Sequence, residues 1–326
     1  MPPVPESVTA SRPTAHGRTR RDPLGKVPSP LLLGTGIVSV QVGAGLAARM
    51  FGTVTAAGLT GLRLWAAALV LAALGARPTI RAIRGIVGER AWRDAGVVLA
   101  FGVTLGVMNF SIYQAMARIP LGIAVTIEFL GPLAVAIASS RRLIDVVWVL
   151  LAGTGVTLLG TVGVSVATVG GAGSGTPSVV TGVLFALAAA TSWACYIMLS
   201  AATGKRFSGP SGLVIAMGVA AVLVTPVAVV SAGSSLFKPA ALGTGLAIGL
   251  LSSVIPYRFE LETLRRVSAR AFGIWMSLEP AVAALVGVVL LSQALSVPQW
   301  FAIGCVVVAS AGAALGENRP SATPQA

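Results

Sequence analysis

The chain contains ten apolar runs of about 20 residues, the length that a helix needs to cross ~30 Å of hydrocarbon. Short polar joints separate the runs, and none of the joints is long enough to hold a soluble domain. Hydrophobic residues make up 55% of the sequence and charged residues only 10%, whereas a soluble domain carries roughly 25% charged residues. The sequence therefore predicts an all-α polytopic membrane protein. The expected spans are residues 31–50, 54–75, 96–115, 119–139, 144–168, 179–202, 211–232, 240–261, 270–291 and 297–316.

The positive charges are distributed as the positive-inside rule requires. With the N-terminus placed inside, 18 of the 23 lysines and arginines fall in the inner segments and three in the outer joints. This asymmetry predicts ten transmembrane helices with both termini in the cytoplasm. It also explains the net charge of +13 as membrane topology, so no nucleic-acid partner is expected. We expect a disordered basic tail over residues 1–29 and a short polar cytoplasmic tail over residues 317–326.

The two halves of the chain repeat each other at an offset of 148 residues. Arg118 aligns with Arg266 and Pro132 with Pro280, and a glutamate stands shortly before each proline. Because each repeat has five helices, an odd number, the second repeat must enter the membrane inverted. Inverted repeats are typical of secondary transporters. The expected division is repeat 1 over 30–168, an outer linker over 169–178 and repeat 2 over 179–316.

Three charged residues lie near the middle of predicted spans: Arg63, Glu128 and Glu279. Together they add on the order of 8–10 kcal/mol to the free energy of membrane insertion, so they must face the bundle interior or water. A structural Arg–Glu pair and a substrate or proton site both explain them, and we favour the site. Pro132 and Pro280 lie close to the two glutamates, and each predicts a helix break there, because proline removes a helical hydrogen bond.

Other polar and aromatic residues also fall within the predicted spans. Glu260 shares a helix face with Tyr257, which makes it a candidate for lining a cavity. In contrast, Arg258, Glu262 and Arg266 follow one another at i,i+4, as solvated ion pairs do. For the aromatic candidates, interface anchoring or core packing is an equally good explanation. The remaining candidates for a pocket are Asn109, Tyr113, Trp193, Tyr196 and Trp275.

Several kinds of chemistry have no residues to support them. The sequence has no GxxxxGK[ST] motif and therefore no P-loop. Its single histidine, His16, lies in the N-terminal tail, so neither a metal site nor a haem is expected in the spans. No cofactor is expected. An intramembrane enzyme or a channel is therefore disfavoured, and secondary transport is the class that remains.

Several motifs resemble one transporter family. They are Gln41-Val-Gly-Ala44, Leu62-Arg63, Met108-Asn109, Pro120 to Pro132 with Glu128, Ser139 to Arg142, Trp193-Ala194, Ile255-Pro-Tyr257 with Glu260, and Arg270 to Ala281 with Glu279. In these motifs the chain resembles the threonine/homoserine exporters of the EamA branch of the drug/metabolite transporter superfamily. The resemblance covers essentially the whole chain outside its tails. The sequence departs from the pattern in its longer basic N-terminal tail and in the extra charges Arg258 and Glu262.

The resemblance implies two inverted five-helix bundles in the bacterial inner membrane, around a central cavity. It also implies export of small amino acids such as threonine, driven by the proton gradient. Arg63 is the expected partner of the substrate carboxylate. Glu128 or Glu279 is the expected partner of the ammonium group, and the remaining carboxylate is expected to carry the proton.

Two alternatives and two further partners remain open. An exporter of another metabolite or a drug-like cation would suit the same carboxylates and tryptophans. A non-transporting structural or sensor subunit would instead hold its intramembrane charges in a dry salt-bridge cluster. Membrane lipid is an expected partner. A homodimer is compatible with the GxxxG spacing at Gly245–Gly249 and Gly312–Gly316, and internal packing would explain that spacing as well.

Overall fold

The computed structural model describes residues 27–88, 90–138, 144–169, 175–207, 210–264 and 266–316, and every regular element in these ranges is helical. Some of the sequence predictions concern residues that lie outside these ranges. They are the segments 1–26, 170–174 and 317–326 and the arginines Arg141, Arg142 and Arg265. The helices are α1 (Ser29–Met50), α2 (Ala56–Leu74), α3 (Ala76–Gly88), α4 (Trp92–Met116), α5 (Leu121–Glu128), α6 (Leu130–Ala138), α7 (Ile144–Val169), α8 (Gly175–Gly204), α9 (Ser211–Ala232), α10 (Pro239–Gly249), α11 (Ile255–Leu264), α12 (Ala269–Met276), α13 (Glu279–Leu291) and α14 (Val297–Gly316).

The helices have the length and composition of membrane spans. Within the described ranges, nine stretches are long and apolar enough to cross a bilayer. The one remaining expected span, over residues 144–168, corresponds to α7, in which the shorter segment Ile144–Gly155 is apolar among the described residues. The prediction of an all-helical polytopic membrane protein is confirmed. The count of ten spans, the orientation and the two-repeat division stay predictions.

Two of the expected spans are broken near their middles, at the predicted positions. The span over 119–139 consists of α5 and α6, which meet at Phe129, and the span over 270–291 consists of α12 and α13. Pro132 has no N–H to donate to the carbonyl oxygen of Glu128, four residues earlier. Pro280 stands in the first turn of α13, where a missing N–H costs nothing because that turn has no helical acceptor. Both glutamates therefore lie beside a helix break.

The span over 240–261 has a different irregularity, which the sequence analysis did not predict. Residues Leu250–Val254 form a π-helical turn between α10 and α11, in which the N–H of Ile255 donates to the carbonyl oxygen of Leu250. Pro256 follows and has no N–H to donate. As a result, the carbonyl oxygens of Leu251 and Ser252 are available to side chains of other helices. Short π-helical turns of this kind occur frequently at functional sites.

Glycines bring several helices into close contact. A Cβ atom on Gly106 would lie 3.3 Å from the Cα atom of Ala220 in α9, and one on Gly249 would lie 2.7 Å from the Cβ atom of Ala66 in α2. Gly245 packs against Leu62 of α2, and Gly312 against the indole ring of Trp148. These glycines are therefore used for packing within the chain. The homodimer stays a prediction.

The joint between α2 and α4 differs from the expected short polar loop. Residues Ala76–Gly88 form α3, a 13-residue helix that carries three of the five arginines of this joint. From the sequence, these arginines were expected only to set the membrane topology. Their spacing also permits a helix with one apolar and one basic face, because residues three and four apart lie on the same side.

The largest apolar cluster closes one end of the bundle, the predicted outer end. It includes Val54 and Leu59 before and within α2, Tyr113 near the end of α4, and Leu121 and Ile123 in α5, all buried. Hydrogen bonds join the helices at the same end. The side chain of Gln293 accepts one from the Leu121 N–H at 3.0 Å, and Arg49 Nε donates to the Leu290 carbonyl oxygen at 2.7 Å. The bundle is thus tightly packed on this side of its midplane.

Candidate functional site

A cavity of about 230 Å3 lies between the helices of the two predicted repeats. Its wall extends from Met116, close to the packed end, to Leu213 at the beginning of α9. Nine of the ten predicted binding residues line it: Arg63, Asn109, Tyr113, Glu128, Trp193, Tyr196, Tyr257, Glu260 and Glu279. The sequence thus predicted which side chains converge, because the insertion penalty leaves polar groups few other places in a membrane bundle.

Trp275 was a candidate for the pocket wall, with interface anchoring or core packing as equal alternatives, and the structure does not place it on the cavity. Its side chain is 41% exposed on the surface of the helix bundle, and it is not part of the cavity wall. The neighbouring residue Met276 lines the cavity instead. Successive residues of a helix point about 100° apart, so when Met276 faces inward, Trp275 is turned away.

Arg63 is held by a backbone oxygen and an aromatic ring. One of its terminal nitrogens donates to the Ser252 carbonyl oxygen at 3.2 Å, the oxygen that the π-helical turn and Pro256 make available. Its guanidinium carbon lies 5.4 Å from the centroid of the Tyr113 ring, within the range of a cation–π interaction. Tyr113 in turn packs edge-on against Phe51, with ring centroids 6.1 Å apart. The π-helical turn between α10 and α11 thus positions an arginine of α2.

Glu279 is held by Gln41, a residue that the sequence analysis quoted in a motif and did not select as a site residue. The Gln41 amide donates from Nε2 to Oε1 of Glu279 at 3.0 Å, and both side chains are buried. A neutral amide adds little to the apparent polarity of an apolar span, which is why sequence reasoning missed it. The signal that could have identified Gln41 as a site residue was the position of a polar side chain in the middle of the apolar helix α1.

Four buried polar atoms on this cavity have no hydrogen-bond partner among the described residues. Two can donate a hydrogen bond, Arg63 Nε and the Tyr113 hydroxyl, and two can accept one, Gln41 Oε1 and Glu279 Oε2. A buried polar atom without a partner costs about 1–3 kcal/mol. The two donors belong to the stacked side chains of Arg63 and Tyr113. The two acceptors belong to the hydrogen-bonded side chains of Gln41 and Glu279. The residues that line the cavity thus carry two unsatisfied donors and two unsatisfied acceptors, grouped in separate pairs.

The charges of the cavity do not balance when all are ionised. Glu279 is close enough to Glu128 and Glu260 to interact with both electrostatically, and Glu128 interacts likewise with Arg63. Arg63 forms no ion pair with either Glu128 or Glu279 in the described part of the chain. Three carboxylates and one guanidinium leave two negative charges that protons or a cationic group can neutralise.

Aromatic and amide side chains complete the wall. Trp193 packs perpendicular to Phe129, at the break between α5 and α6, with ring centroids 5.4 Å apart. Tyr196 packs against Phe101 at 5.3 Å. Asn109 donates to the Leu105 carbonyl oxygen of its own helix at 2.8 Å. Its amide is therefore fixed in orientation.

The ion pair predicted between Glu262 and Arg266 lies apart from this cavity. Glu262 accepts a hydrogen bond from Arg266 Nε at 2.9 Å, at the end of α11, and neither residue lines the cavity wall. Arg266 also donates to the Val27 carbonyl oxygen at 2.8 Å, which ties α11 to the segment before α1. The i,i+4 pair of Glu262 and Arg266 is confirmed.

These features define a class of protein: a polytopic helical membrane protein with paired broken helices and a buried, charged cavity, as in secondary transporters. Residues 180–315 match the family model of the EamA-like transporter family. The threonine/homoserine exporter RhtA of Escherichia coli (strain K12) is 36% identical over 291 residues, which are 89% of this chain and 92% of that protein. RhtA of Salmonella typhimurium (strain LT2) is 36% identical over 303 residues, 93% of this chain and 96% of that protein.

The chain belongs to the EamA-like transporter family. The expectation of a membrane transporter instead of an enzyme is confirmed by this membership. A solved crystal structure of a protein 22% identical in sequence superposes with a TM-score of 0.57 and covers 88% of this chain and 96% of that one. At this identity the likeness shows the fold alone.

Proposed function

We propose that this protein exports small zwitterionic amino acids of the threonine and homoserine kind across the inner membrane, in exchange for protons and by alternating access. The observation that supports this proposal most directly is the set of four polar atoms, two donors and two acceptors, that have no partner among the described residues and belong to side chains lining the cavity. The names of the RhtA relatives support the substrate class, since those proteins match this chain over most of both lengths.

The donor pair suits the carboxylate of the amino acid. Arg63 Nε and the Tyr113 hydroxyl have no partner among the described residues, and the guanidinium is already fixed by Ser252 and the Tyr113 ring. Hydrogen bonds between a guanidinium and a carboxylate are short and about twice as strong as neutral ones. Because the arginine is already ordered, little side-chain entropy is lost when the carboxylate binds.

The acceptor pair suits the ammonium group. An ammonium group has three donors and no acceptor, and Gln41 Oε1 and Glu279 Oε2 are two acceptors on side chains that are joined to each other. Of the two glutamates that the sequence offered for this role, Glu279 is therefore the better candidate. Glu128 and Glu260 remain for the proton, and both are close enough to Glu279 to interact with the charge of a bound ammonium group.

The size of the cavity favours a small substrate. Pockets for drug-sized ligands enclose roughly 300–1,000 Å3, and this cavity encloses about 230 Å3. A drug-like cation remains the second candidate, because the surplus of two carboxylates and the aromatic wall suit one. A competition assay on the purified protein distinguishes an amino-acid substrate from a drug-like cation. If the proposal is right, threonine displaces a bound aromatic cation.

A non-transporting structural or sensor subunit is disfavoured. That alternative requires a dry cluster in which Arg63 pairs with Glu128 and Glu279. Instead, a cavity reaches all three residues, and in the described part of the chain Arg63 is bound to Ser252 and stacked on Tyr113.

Efflux from living cells tests the proposal. Cells with and without the protein are loaded with a threonine dipeptide, and the threonine that appears outside is measured with and without a protonophore. We expect faster efflux with the protein, and we expect the protonophore to abolish the increase. Unchanged efflux at confirmed membrane expression would refute the substrate class, and a protonophore-resistant increase would refute proton coupling.

A further inference from the structure

The helix α3 forms a surface that plays no part in the transport site. Gly75 alone separates it from α2, and the Thr79 hydroxyl donates to the Gly75 carbonyl oxygen at 2.8 Å, which fixes the turn between the helices. Ala82 and Ile86 pack against an apolar cluster formed by residues of α4, α9 and the segment after α8. Because α2 and α4 are membrane spans, α3 is attached to the bundle at the level where two spans end.

An apolar stripe runs along the side of α3 next to this packed side. It consists of Ile80, Ile83 and Val87, at spacings of three and four, so the three side chains lie on one face of the helix. Their exposed fractions are 49%, 45% and 73%. Single exposed apolar residues are ordinary, whereas a continuous stripe of this kind at the end of two spans matches a helix that lies in a membrane interface.

A basic stripe lies beside the apolar one, on the side turned away from the bundle. Arg77, Arg81 and Arg84 are all exposed, and the sequence of α3 contains no acidic residue. Over residues 76–94 the sequence has five arginines against two acidic residues, Glu89 and Asp94, and Asp94 is paired with Arg206 at 3.1 Å. The surface thus carries a local surplus of positive charge, next to side chains that avoid water.

We propose that α3 is an in-plane interfacial helix that binds the phosphate groups of anionic lipids in the adjacent leaflet. The apolar stripe would lie at the boundary of headgroups and acyl chains, and the arginines would then stand at headgroup height. A guanidinium binds phosphate oxygens through two parallel hydrogen bonds. Anionic lipid supplies both chemistries that the two stripes require, an apolar boundary and a layer of phosphate beside it. A soluble partner would have to cover the apolar stripe as well.

Lipid binding to the purified full-length protein tests the charge complementarity. Native mass spectrometry gives the relative affinities for phosphatidylglycerol and phosphatidylcholine. The double variant Arg77→Gln/Arg84→Gln is expected to bind phosphatidylglycerol about 25-fold more weakly, from the free energy of two arginines near an anionic surface. The control variant Lys205→Gln/Lys238→Gln removes the same charge from two exposed positions outside α3. Because only Lys205 lies at the end of the bundle that carries α3, the affinity should fall no more than about fivefold.

Three results would overturn the proposal. The first is an equal loss of phosphatidylglycerol binding in the two double variants. The second is an equal affinity of the unmodified protein for phosphatidylglycerol and phosphatidylcholine. The third is displacement of the lipid by inorganic phosphate at millimolar concentration, which would mean that the arginines bind free phosphate and do not need a lipid.

Cysteine labelling tests the placement of the apolar stripe independently. Single cysteines at Ile83→Cys and Arg84→Cys are introduced after Cys195 and Cys305 are replaced by alanine. A membrane-impermeant maleimide is then added to inside-out vesicles. The two positions are adjacent and both exposed, yet Arg84→Cys should react at least about tenfold faster if Ile83 faces lipid. Equal rates would show that water surrounds α3 on both faces, and would overturn the proposal.

Discussion

Replacing Arg63 with glutamine should weaken threonine binding by about 10- to 150-fold. The side chain already donates to the Ser252 carbonyl oxygen at 3.2 Å and lies 5.4 Å from the Tyr113 ring centroid, while its Nε atom is buried and has no partner among the described residues. A substrate carboxylate would therefore gain a hydrogen bond to a charged donor without displacing an existing one. Such a bond contributes about 1.5–3 kcal/mol, and each 1.4 kcal/mol is a factor of about ten in affinity.

The assay compares two ligands on two proteins. Isothermal titration gives the affinity of the unmodified protein and of Arg63→Gln for threonine and for threoninol, the amino alcohol that lacks the carboxylate. If Arg63 binds the carboxylate, the substitution weakens threonine binding strongly and threoninol binding little. The variant Arg63→Lys keeps the charge and loses the fork of donors, so we expect an intermediate loss for threonine.

The comparison separates a binding role from a structural one. Arg63 also holds the π-helical turn through Ser252, so a merely structural role would weaken both ligands by the same factor. An equal loss for threonine and threoninol would refute the assignment of Arg63 to the carboxylate.

Three other substitutions give expected outcomes of different kinds. Gln41→Leu removes the 3.0 Å hydrogen bond to Glu279 and should weaken threonine binding about fivefold, the effect of one neutral hydrogen bond; unchanged affinity in a titration would contradict the acceptor pair. Gly122→Ala would place a Cβ atom 2.6 Å from the Ala284 Cα atom and should cost ~1–3 kcal/mol through overpacking, seen as a lower melting temperature in detergent. The control Gly218→Ala has open space around it and should melt no earlier than the unmodified protein. Glu262→Gln breaks a partly exposed ion pair worth at most about 1 kcal/mol, so threonine efflux should continue, and its complete loss would place Glu262 in the transport mechanism.

The sequence predicted the composition of the site better than its geometry. Arg63, Glu128 and Glu279 were recognisable because each is costly in a membrane span, and that cost forces them towards one interior. The helix breaks beside the two glutamates were predictable from Pro132 and Pro280, since the missing N–H group acts locally.

The features that sequence reasoning missed depend on helix phase and on contacts between distant segments. Trp275 and Met276 are neighbours of similar hydrophobicity, and only the packing of α12 decides which of them faces the cavity. Gln41 acquires its importance from a partner 238 residues away. The π-helical turn over Leu250–Val254 likewise becomes meaningful once Arg63 is seen to use a carbonyl oxygen within it.

The helix α3 was missed for another reason. Its arginines fitted the positive-inside rule so well that the spacing of the apolar residues between them received no interpretation. A search for apolar residues three and four apart within a charged joint would have indicated an interfacial helix from Ile80, Ile83 and Val87.

Transport by the purified protein in proteoliposomes is the most direct test of the central claim that this cavity exchanges amino acids for protons. Radiolabelled threonine is placed outside vesicles with an acidic lumen, and its uptake is followed for the unmodified protein and for Glu279→Gln. The account predicts uptake above the equilibrium level that collapses with the pH gradient, and no such uptake for Glu279→Gln at equal incorporation. Threonine uptake that does not depend on the pH gradient would contradict it. Accumulation of threonine by Glu279→Gln to the same level as by the unmodified protein would also contradict it.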